Sequence, residues 1–357
     1  MRYVYPKLKI VYETPDIYIL VLEALRRIPR GKVTTYGEIG IALGDKVAAR
    51  AVGYIMATNK RPDVFPCYKV VNKDGSVGKY SLGQQVKIRK LVHDGIRIYG
   101  DRIVNFDEVV VKSDDIYVPS VLKSLQKMQN LLAEKIDLEG EDIEIRYVST
   151  FDLSYIDGPP DISIGVGCLF DLEKDVLKYV SIAVIPVFMP YIPTYLAFRE
   201  LPAILLALES IVDIRHPDIV VLDGQGILHP RLFGIASHIG ILTGIPSIGI
   251  AKSVLVGNIR EEWRKIGKFK VAPIFLGNKI RGYAVEFANH RIIVSPGHKI
   301  SIDQALKFVL GLKWNKNESE PSIMRAPHNI AKIVRKNFKQ IIDNLRNKQK
   351  SLLEFVS

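Results

Sequence analysis

The chain has 357 residues and a hydrophobic content of 48%, which predicts two or three packed domains and excludes an intrinsically disordered protein. Its 50 Lys and Arg residues against 38 Asp and Glu residues give a formal net charge of +12; this excess suits a polyanion such as nucleic acid, although a merely basic protein would show it equally. Two cysteines in unrelated contexts exclude a disulfide framework, and the lack of a signal peptide or of an apolar run of about 18 residues predicts a cytoplasmic protein that does not contact a membrane.

The first hundred residues have the pattern of a small, mainly helical domain. Apolar positions at helical spacing predict helices over 16–30, 35–43, about 47–58 and 83–93. Thr35 and Glu38 have the spacing of a capping box at the start of the second helix. The second helix, the tight turn at Gly44-Asp45 and the third helix form a helix-turn-helix arrangement. We therefore expect a winged-helix-like domain over residues 1–105.

Residues 106–120 mix acidic residues with a proline and are predicted to be a linker to a second domain over 121–357. That domain is predicted to contain helix 121–135, strands 145–152, 161–170 and 178–187, helix 198–214, strand 218–222, helix 231–242 and strand 245–249. Three strands followed by alternating helices and strands indicate an α/β domain with a mixed sheet. The chain is thus expected to combine α+β and α/β domains. Its basic tail from Arg325 has helical spacing, which favours a docking helix with a solvated face over a helix that faces DNA.

Three acidic residues of the second domain stand where a carboxylate is costly unless a cation or a donor meets it. Asp152 lies late in a strand between apolar neighbours, Glu200 begins a helix, and Asp223 ends an apolar strand. Each alone is more often part of a salt bridge or a cap. Together they favour one site for Mg²⁺ or Mn²⁺, which prefer oxygen ligands and act on phosphodiesters.

Longer motifs surround these acidic residues. They are Phe-Asp152-Leu-Ser, Tyr191-Ile-Pro193, Phe-Arg-Glu200, Asp223-Gly-Gln-Gly-Ile-Leu-His229-Pro-Arg, Ser237-His238-Ile-Gly, Gly249-Ile-Ala-Lys252 and Ser295-Pro-Gly-His298. In this order, over residues from about 121 to 340, they resemble endonuclease V, a family with an RNase H-like fold that nicks DNA near deoxyinosine.

The resemblance implies a catalytic centre of five side chains. Asp152, Glu200 and Asp223 would hold the metal ion. Lys252 and His298 would stand near the scissile phosphate, where a cation or a donor stabilises developing charge.

The resemblance also implies contacts to DNA. Tyr191, in the proline-stiffened segment 189–193, would wedge into the duplex while the altered base is turned out. Without the resemblance, the same segment is a proline-rich turn beside a core tyrosine. His229 would contact the DNA or stand beside the metal, whereas His238 is expected to pack on its own helix.

The first domain carries a cysteine in unusual surroundings. Cys67 precedes two valines and would normally be a core residue; it is reactive only where its environment favours the thiolate. The surrounding motifs are Ile28-Pro-Arg-Gly-Lys-Val-Thr-Thr-Tyr36-Gly-Glu-Ile, Ala49-Arg50-Ala-Val-Gly53, Asn59, Pro66-Cys67 and Gly78-Lys-Tyr80-Ser81. Over residues 11–100 they resemble the C-terminal, active-site domain of O6-alkylguanine-DNA alkyltransferases.

This second resemblance implies that Cys67 accepts an alkyl group irreversibly and without a metal. Arg50 would fill the gap left by the extruded base. Asn59 and Tyr36 would orient the site, and Tyr36 would donate a proton to the departing guanine.

Three positions depart from the alkyltransferase pattern. Tyr68 and Lys69 follow the cysteine where the family usually has His-Arg, and Asp94 stands where a glutamate is common. A tyrosine, with an ordinary pKa near 10, is a poorer base than histidine. We therefore expect alkyl transfer to be slow, or the thiolate to be supported by another group.

The sequence predicts a monomeric, bifunctional DNA-repair enzyme. It would transfer alkyl groups from O6-alkylguanine in DNA to Cys67 and cut DNA 3′ to deoxyinosine with Mg²⁺, for which Mn²⁺ could substitute. One alternative is an endonuclease V fused to a domain that senses alkylated DNA without reacting, which the departure at Tyr68 motivates. A second is a helix-turn-helix regulator fused to an inactive RNase H-like domain.

Overall fold

The computed structural model describes residues 1–140, 144–158 and 160–356, with side chains through residue 344. The helices are α1 Ile17–Arg26, α2 Tyr36–Ala42, α3 Ala49–Thr58, α4 Gln84–His93, α5 Phe106–Val109, α6 Val121–Ala133, α7 Leu196–Ile214, α8 Ile235–Thr243, α9 Ile302–Gly311 and α10 Ser322–Val356. The strands are β1 Arg2–Tyr5, β2 Ile10–Glu13, β3 Thr34–Thr35, β4 Val70–Val71, β5 Ile98–Tyr99, β6 Arg102–Ile103, β7 Tyr147–Ile156, β8 Asp161–Asp171, β9 Val176–Val187, β10 Ile219–Asp223, β11 Ser247–Ala251, β12 Asn258–Ile259, β13 Arg264–Ile266, β14 Phe269–Leu276, β15 Lys279–Phe287 and β16 His290–His298.

The first domain places the predicted helix-turn-helix at α2 and α3. Thr35 caps α2 by accepting a hydrogen bond from Glu38 N at 3.1 Å. Only this half of the expected capping box forms, because the Glu38 carboxylate accepts from Ser113 N at 2.8 Å instead of returning to the cap. The first helix also ends at Arg26, earlier than the predicted limit of 30.

Residues 106–120 run along the first domain. Val33 forms a parallel bridge with Val110, and Thr34 Oγ1 donates to Val111 O at 3.0 Å. The start of α6 is then held by a bond from Leu122 N to Leu43 O. The segment predicted to be a linker is therefore anchored at both ends to the helix-turn-helix domain.

The second domain is built on a sheet of ten strands in the order β12-β14-β15-β16-β11-β10-β7-β8-β9, with β13 paired to β14. Strands β7, β10 and β11 are parallel and the remaining neighbours are antiparallel, so the predicted mixed sheet is confirmed. Leu222 of β10 lies beside Phe151 of β7. The next residues of these two parallel strands are Asp223 and Asp152, which therefore reach the same edge of the sheet.

Helices cover both faces of this sheet. Alternate residues of β10 separate into two cores: Val220 and Leu222 pack with α7 and α8, whereas Ile219 and Val221 pack with α9 and the start of α10. The helix predicted over 231–242 begins only at Ile235. Leu232 before it adopts a left-handed conformation at φ 52°, and Leu232 N bonds to His229 O in a turn.

The cores of the two domains are continuous. One buried cluster contains Tyr12 and Val21 of the first domain together with Leu201 and Ile239 of the second. The centre of the Tyr12 ring lies 5.7 Å from the centre of the His238 ring. His238 was expected to pack on its own helix, and its buried ring also packs against the first domain. Buried apolar surface thus holds the two domains against each other.

No helix among the described residues has the length and apolarity needed to cross a membrane.

Candidate active sites in the two domains

The three predicted metal ligands face one space. Asp152 in the middle of β7, Glu200 in the first turns of α7 and Asp223 at the end of β10 line a cavity of about 210 Å³, here called the carboxylate cavity. Apolar side chains make up the rest of its wall. Two parallel strands and the helix crossing their edge thus bring together residues that are up to 71 positions apart in the chain.

Each carboxylate has a protein donor beside it. His328 Nδ1 of α10 lies 2.7 Å from Asp152 Oδ2, and Lys252 Nζ donates to Asp223 Oδ2 at 3.0 Å. Tyr155 OH donates to Glu200 Oε1 at 3.1 Å. In the described parts of the chain, no three His, Cys, Asp or Glu side chains converge closely enough to form a closed metal site. The carboxylates therefore share a cavity without meeting at a common point.

Electrostatics make this arrangement costly without a cation. Desolvation by burial raises the pKa of Glu200 to about 8, and the negative charges of Asp223 and Asp152 add to the effect. Desolvation also raises the pKa of Asp152, again with a contribution from Asp223. Like charges in a poorly solvated space repel, and a divalent cation among them would relieve that repulsion. A set of carboxylate oxygens fits the ligand preference of Mg²⁺ or Mn²⁺.

Two residues beside these carboxylates were missed by the sequence analysis. His328 lies on α10 between the buried residues Met324 and Ala331, and a histidine on the apolar stripe of a helix is the signal that could have identified it. Glu320, buried just before α10, has Oε2 at 3.6 Å from Lys252 Nζ. The sequence around Glu320 offers no comparable pattern.

A second cavity, of about 320 Å³, adjoins the carboxylate cavity and shares Asp223, Leu196 and Ile235 with it. Tyr191 and Lys252 also line this space, which we call the Tyr191 cavity. Tyr191 is 60% exposed, although tyrosine is usually partly buried. The structure thus places an exposed aromatic ring at a cavity that leads to the carboxylates.

His229 lines the Tyr191 cavity but has a structural task there. Arg231 N donates to its Nδ1 at 3.2 Å, so Nε2 carries the proton and donates to Thr194 O at 3.0 Å. Burial lowers the pKa of His229 to about 4. The ring is therefore neutral near pH 7 and fixes the end of the segment 188–195 between β9 and α7, here called the Tyr191 loop. The contact of His229 with DNA and its place beside the metal stay predictions.

The structure places His298 elsewhere, contrary to the expectation of a group near the scissile phosphate. In β16 it lies beside Ser247, whereas Asp223 lies beside Ile250 of the same strand β11. The register separates His298 from the edge that carries Asp223 by three residues, or about 10 Å. Its Nδ1 accepts from Asp137 N at 3.2 Å. His298 therefore packs at the opposite end of β11, and His328 is the histidine beside the carboxylates.

The cysteine of the first domain is buried and has a polar side chain beside it. Cys67 is 3% exposed, and Asn59 Nδ2 donates to its Sγ at 3.2 Å and to Phe65 O at 3.0 Å. Tyr36, at the start of α2, lies close enough that burial and the charge of a Cys67 thiolate both raise the Tyr36 pKa. Arg50 is exposed on the first turn of α3. The structure thus brings together Cys67, Asn59 and Tyr36 and leaves Arg50 on the surface.

Tyr68 does not replace the usual histidine as a base. Its hydroxyl donates to Asp94 Oδ2 at 3.0 Å, and burial together with this bond raises its pKa to about 12. Lys69 Nζ also approaches Asp94, at 3.5 Å, while donating to Ile28 O at 2.8 Å. Tyr68 therefore stays protonated near neutral pH and ties the cysteine segment to the end of α4.

A buried lysine is the other missed residue. Lys87 of α4 is 1% exposed and donates to Val70 O at 2.6 Å. Burial lowers its pKa to about 8, and the charge of a Cys67 thiolate acts in the opposite direction. Lys87 precedes the buried Leu91 by one helical turn, so its place on the apolar face of α4 is the signal that could have revealed it.

Comparison with known proteins follows this division of the chain. A model of the 6-O-methylguanine DNA methyltransferase DNA-binding domain matches residues 16–96, and a model of the endonuclease V family matches residues 130–328. The bifunctional methyltransferase/endonuclease of Picrophilus torridus is 34% identical over 322 residues, which are 90% of this chain and 98% of that protein. The corresponding protein of Thermoplasma volcanium is 33% identical over 328 residues, 91% of this chain and 92% of that one.

A solved structure adds to this comparison. A variant of Ciona intestinalis endonuclease V, in complex with a 23mer DNA containing an inosine followed by a ribo-adenosine, is 26% identical and has a TM-score of 0.53. The match covers 62% of this chain and 98% of that chain. Since the two relatives above match along nearly their whole length and span both domains, the chain belongs to the family of bifunctional methyltransferase/endonucleases, and its second domain is an endonuclease V domain.

Proposed function

We propose that this protein repairs two kinds of miscoding base in DNA. Its second domain hydrolyses a phosphodiester 3′ to deoxyinosine with a divalent metal ion, and its first domain transfers alkyl groups from O6-alkylguanine to Cys67. The observation that carries the nuclease proposal is the carboxylate cavity, where three acidic side chains face one space beside an exposed aromatic ring. A relative bound to inosine-containing DNA supports the choice of substrate.

Asp152, Glu200 and Asp223 would hold the metal ion, with Mg²⁺ as the proposed ion and Mn²⁺ as a substitute. When bound, such an ion neutralises charge on the phosphodiester and provides a hydroxide as nucleophile at neutral pH. The protein contributes the orientation of its ligands. His328 and Tyr155 hold Asp152 and Glu200 by hydrogen bonds, as the outer partners of metal ligands commonly do.

Lys252 has a separate task in this proposal. Its ammonium lies between Asp223 and Glu320 and is exposed toward the cavity that Tyr191 lines. Burial alone would lower the pKa of Lys252, but the neighbouring carboxylates outweigh this and raise it above its ordinary value, so Lys252 is a cation near neutral pH. A fixed cation at this position can pair with a DNA phosphate and stabilise charge that develops during cleavage.

The Tyr191 loop would open the duplex. An exposed aromatic ring can stack in the gap left by a base that leaves the helix, and the cavity of about 320 Å³ beside it falls in the size range of small-molecule pockets. We propose that the hypoxanthine base enters this cavity. His229 and Arg231 both bond to Thr194 O and thereby hold the loop that forms its rim.

In the first domain, the Cys67 sulfur would attack the alkyl carbon of O6-alkylguanine. A bond forms between Sγ and that carbon as the bond from the carbon to O6 breaks, and the Tyr36 hydroxyl supplies the proton that the guanine takes up. Asn59 donates to Sγ and thereby fixes the position of the sulfur. Burial lowers the pKa of Lys87, and the charge of a Cys67 thiolate opposes that shift. The Lys87 ammonium is therefore the cation that would support the thiolate where the usual histidine is missing.

We assign residues 1–105 to the alkyl-acceptor domain, 106–120 to the connection and 121–357 to the nuclease domain, and we propose that a monomer carries out both reactions. Arg50 on the exposed face of α3 would fill the gap left by the flipped guanine. A domain that senses the lesion without reacting is the alternative, since Tyr68 cannot act as the usual base.

The nuclease proposal predicts metal-dependent nicking of an inosine-containing duplex. Asp223→Asn should lower the single-turnover cleavage rate by at least about a hundredfold, because it removes a charged ligand at the shared cavity. Asp175→Asn is the matched control, since Asp175 pairs with Lys313 at an exposed turn and such pairs contribute little. Equal cleavage by both variants, or cleavage in excess EDTA, would refute the assignment.

The alkyl-transfer proposal predicts a covalent product. After incubation with a duplex containing O6-methylguanine, intact-mass spectrometry should show one methyl group on the protein, and peptide mapping should place it on Cys67. Cys168→Ser, which changes a buried cysteine of β8, should leave the adduct in place, whereas Cys67→Ser should abolish it. Tight binding of this duplex without an adduct would instead establish the lesion-sensing alternative.

The departure at Tyr68 predicts a gain of function. Tyr68→His places an imidazole beside Asp94 and should raise the rate of methyl transfer by about tenfold or more, because histidine exchanges protons near neutral pH. Tyr68→Phe should change the rate little, since the tyrosine hydroxyl is not a base here. Comparable losses in both variants would show that the hydroxyl itself supports the Cys67 thiolate.

A further inference from the structure

A buried carboxylate joins the two domains. Asp161, at the start of β8, is 3% exposed. From the first domain it accepts hydrogen bonds from Tyr18 OH at 3.1 Å and from Tyr54 OH at 2.7 Å. From the second domain it accepts hydrogen bonds from Arg199 Nη2 at 3.1 Å and from Gly158 N at 3.1 Å. A buried charge is tolerated only when donors surround it, and here half of the donors belong to the alkyl-acceptor domain.

Arg199 connects Asp161 to the nuclease site. Its Nη1 donates to Met189 O at 2.8 Å, at the start of the loop that presents Tyr191. Its guanidinium carbon lies 4.1 Å from the centre of the Tyr155 ring, and Tyr155 OH donates to Glu200. The side chain that Asp161 orients is therefore bonded to the Tyr191 loop and stacked on the residue that holds a carboxylate of the site.

The first domain also touches both ends of the Tyr191 loop directly. At its entry, Ile17 N of α1 donates to Phe188 O at 2.9 Å. At its exit, Tyr195 OH donates to Asp45 Oδ2 at 2.8 Å. Asp45 lies in the turn of the helix-turn-helix, where its other oxygen accepts from Val47 N. A loop without regular structure loses conformational freedom when both of its ends are fixed.

We propose that the alkyl-acceptor domain is a positioning element of the nuclease, independent of its own chemistry. Asp161, with Tyr18 and Tyr54, sets Arg199 and through it the Tyr191 loop and Glu200, while Asp45 sets the other end of the loop. This inference rests on the proposed nuclease function. It states in addition that base extrusion by Tyr191 depends on contacts from the other domain.

The test is the double substitution Tyr18→Phe/Tyr54→Phe, which removes the donors of the first domain and keeps both rings. The matched control is Tyr12→Phe, because Tyr12 is buried in the same interface and its hydroxyl has no hydrogen-bond partner among the described residues. Each protein is mixed with an inosine duplex that carries 2-aminopurine next to the lesion. Fluorescence without metal reports base extrusion, and single-turnover cleavage with Mg²⁺ reports chemistry.

The double variant should lose about tenfold in cleavage rate at saturating enzyme and most of the fluorescence increase, since fixed loop geometry is lost. Its affinity for an undamaged duplex should stay near that of the wild type, which separates loop positioning from general destabilisation. Tyr12→Phe should match the wild type throughout. Unchanged extrusion and cleavage in the double variant would overturn the inference.

If the double variant does not fold, Asp45→Asn decides the question. In the wild type, Gln126 Nε2 donates to Asp45 Oδ2 at 2.8 Å. In the variant, the asparagine oxygen can still accept from Val47 N, but the asparagine NH₂ group replaces Oδ2 and faces the Gln126 donor, so this side of the contact is lost. Loss of extrusion supports the inference, and wild-type extrusion overturns it. Absence of cleavage by the wild type would instead refute the nuclease function, while the fluorescence signal without metal still tests the loop.

Discussion

The constraint on which the nuclease domain depends is the crowding of three carboxylates at one poorly solvated edge of a sheet. The parallel pairing of β7 with β10 makes this edge, and the start of α7 closes it. Burial and the repulsion from Asp223 and Asp152 raise the pKa of Glu200 to about 8, so binding of a proton or of a further cation is favoured there. The donors on Asp152, Glu200 and Asp223 moderate the repulsion without removing it.

The sequence predicted the parts of the fold that short-range patterns determine. Helices α1 to α4 and α6 to α8 and strands β7 to β11 were expected near their observed places, because apolar spacing and caps indicate them locally. Strands β12 to β16 and the hairpin β1–β2 received no prediction. Histidine assignment failed for a related reason: the motif ending at His298 is obvious in sequence, but the register of β16 on β11 carries it away from the carboxylates. Only tertiary packing brings His328 to Asp152.

The alkyl-acceptor site, too, could be predicted from the sequence only in part. Cys67, Asn59 and Tyr36 could be predicted from their motifs, and the structure places them together. The consequence of Tyr68 could be predicted only as a loss of a base. Its bond to Asp94 required the structure, because Tyr68 and Asp94 lie 26 residues apart in the chain. The buried position of Lys87 was missed although its helical spacing from Leu91 indicates the apolar face of α4. The domain interface around Asp161 could not be predicted from the sequence either, since the partners of Asp161 lie up to 143 residues from it in the chain.

The most direct test of the account is anomalous diffraction from crystals of the protein soaked in Mn²⁺. We expect one strong peak in the carboxylate cavity, with oxygens of Asp152, Glu200 and Asp223 drawn to coordination distance and Lys252 displaced from Asp223. A peak bound by other residues, or an empty cavity at saturating Mn²⁺, would contradict the claim that these carboxylates form the metal centre of the nuclease.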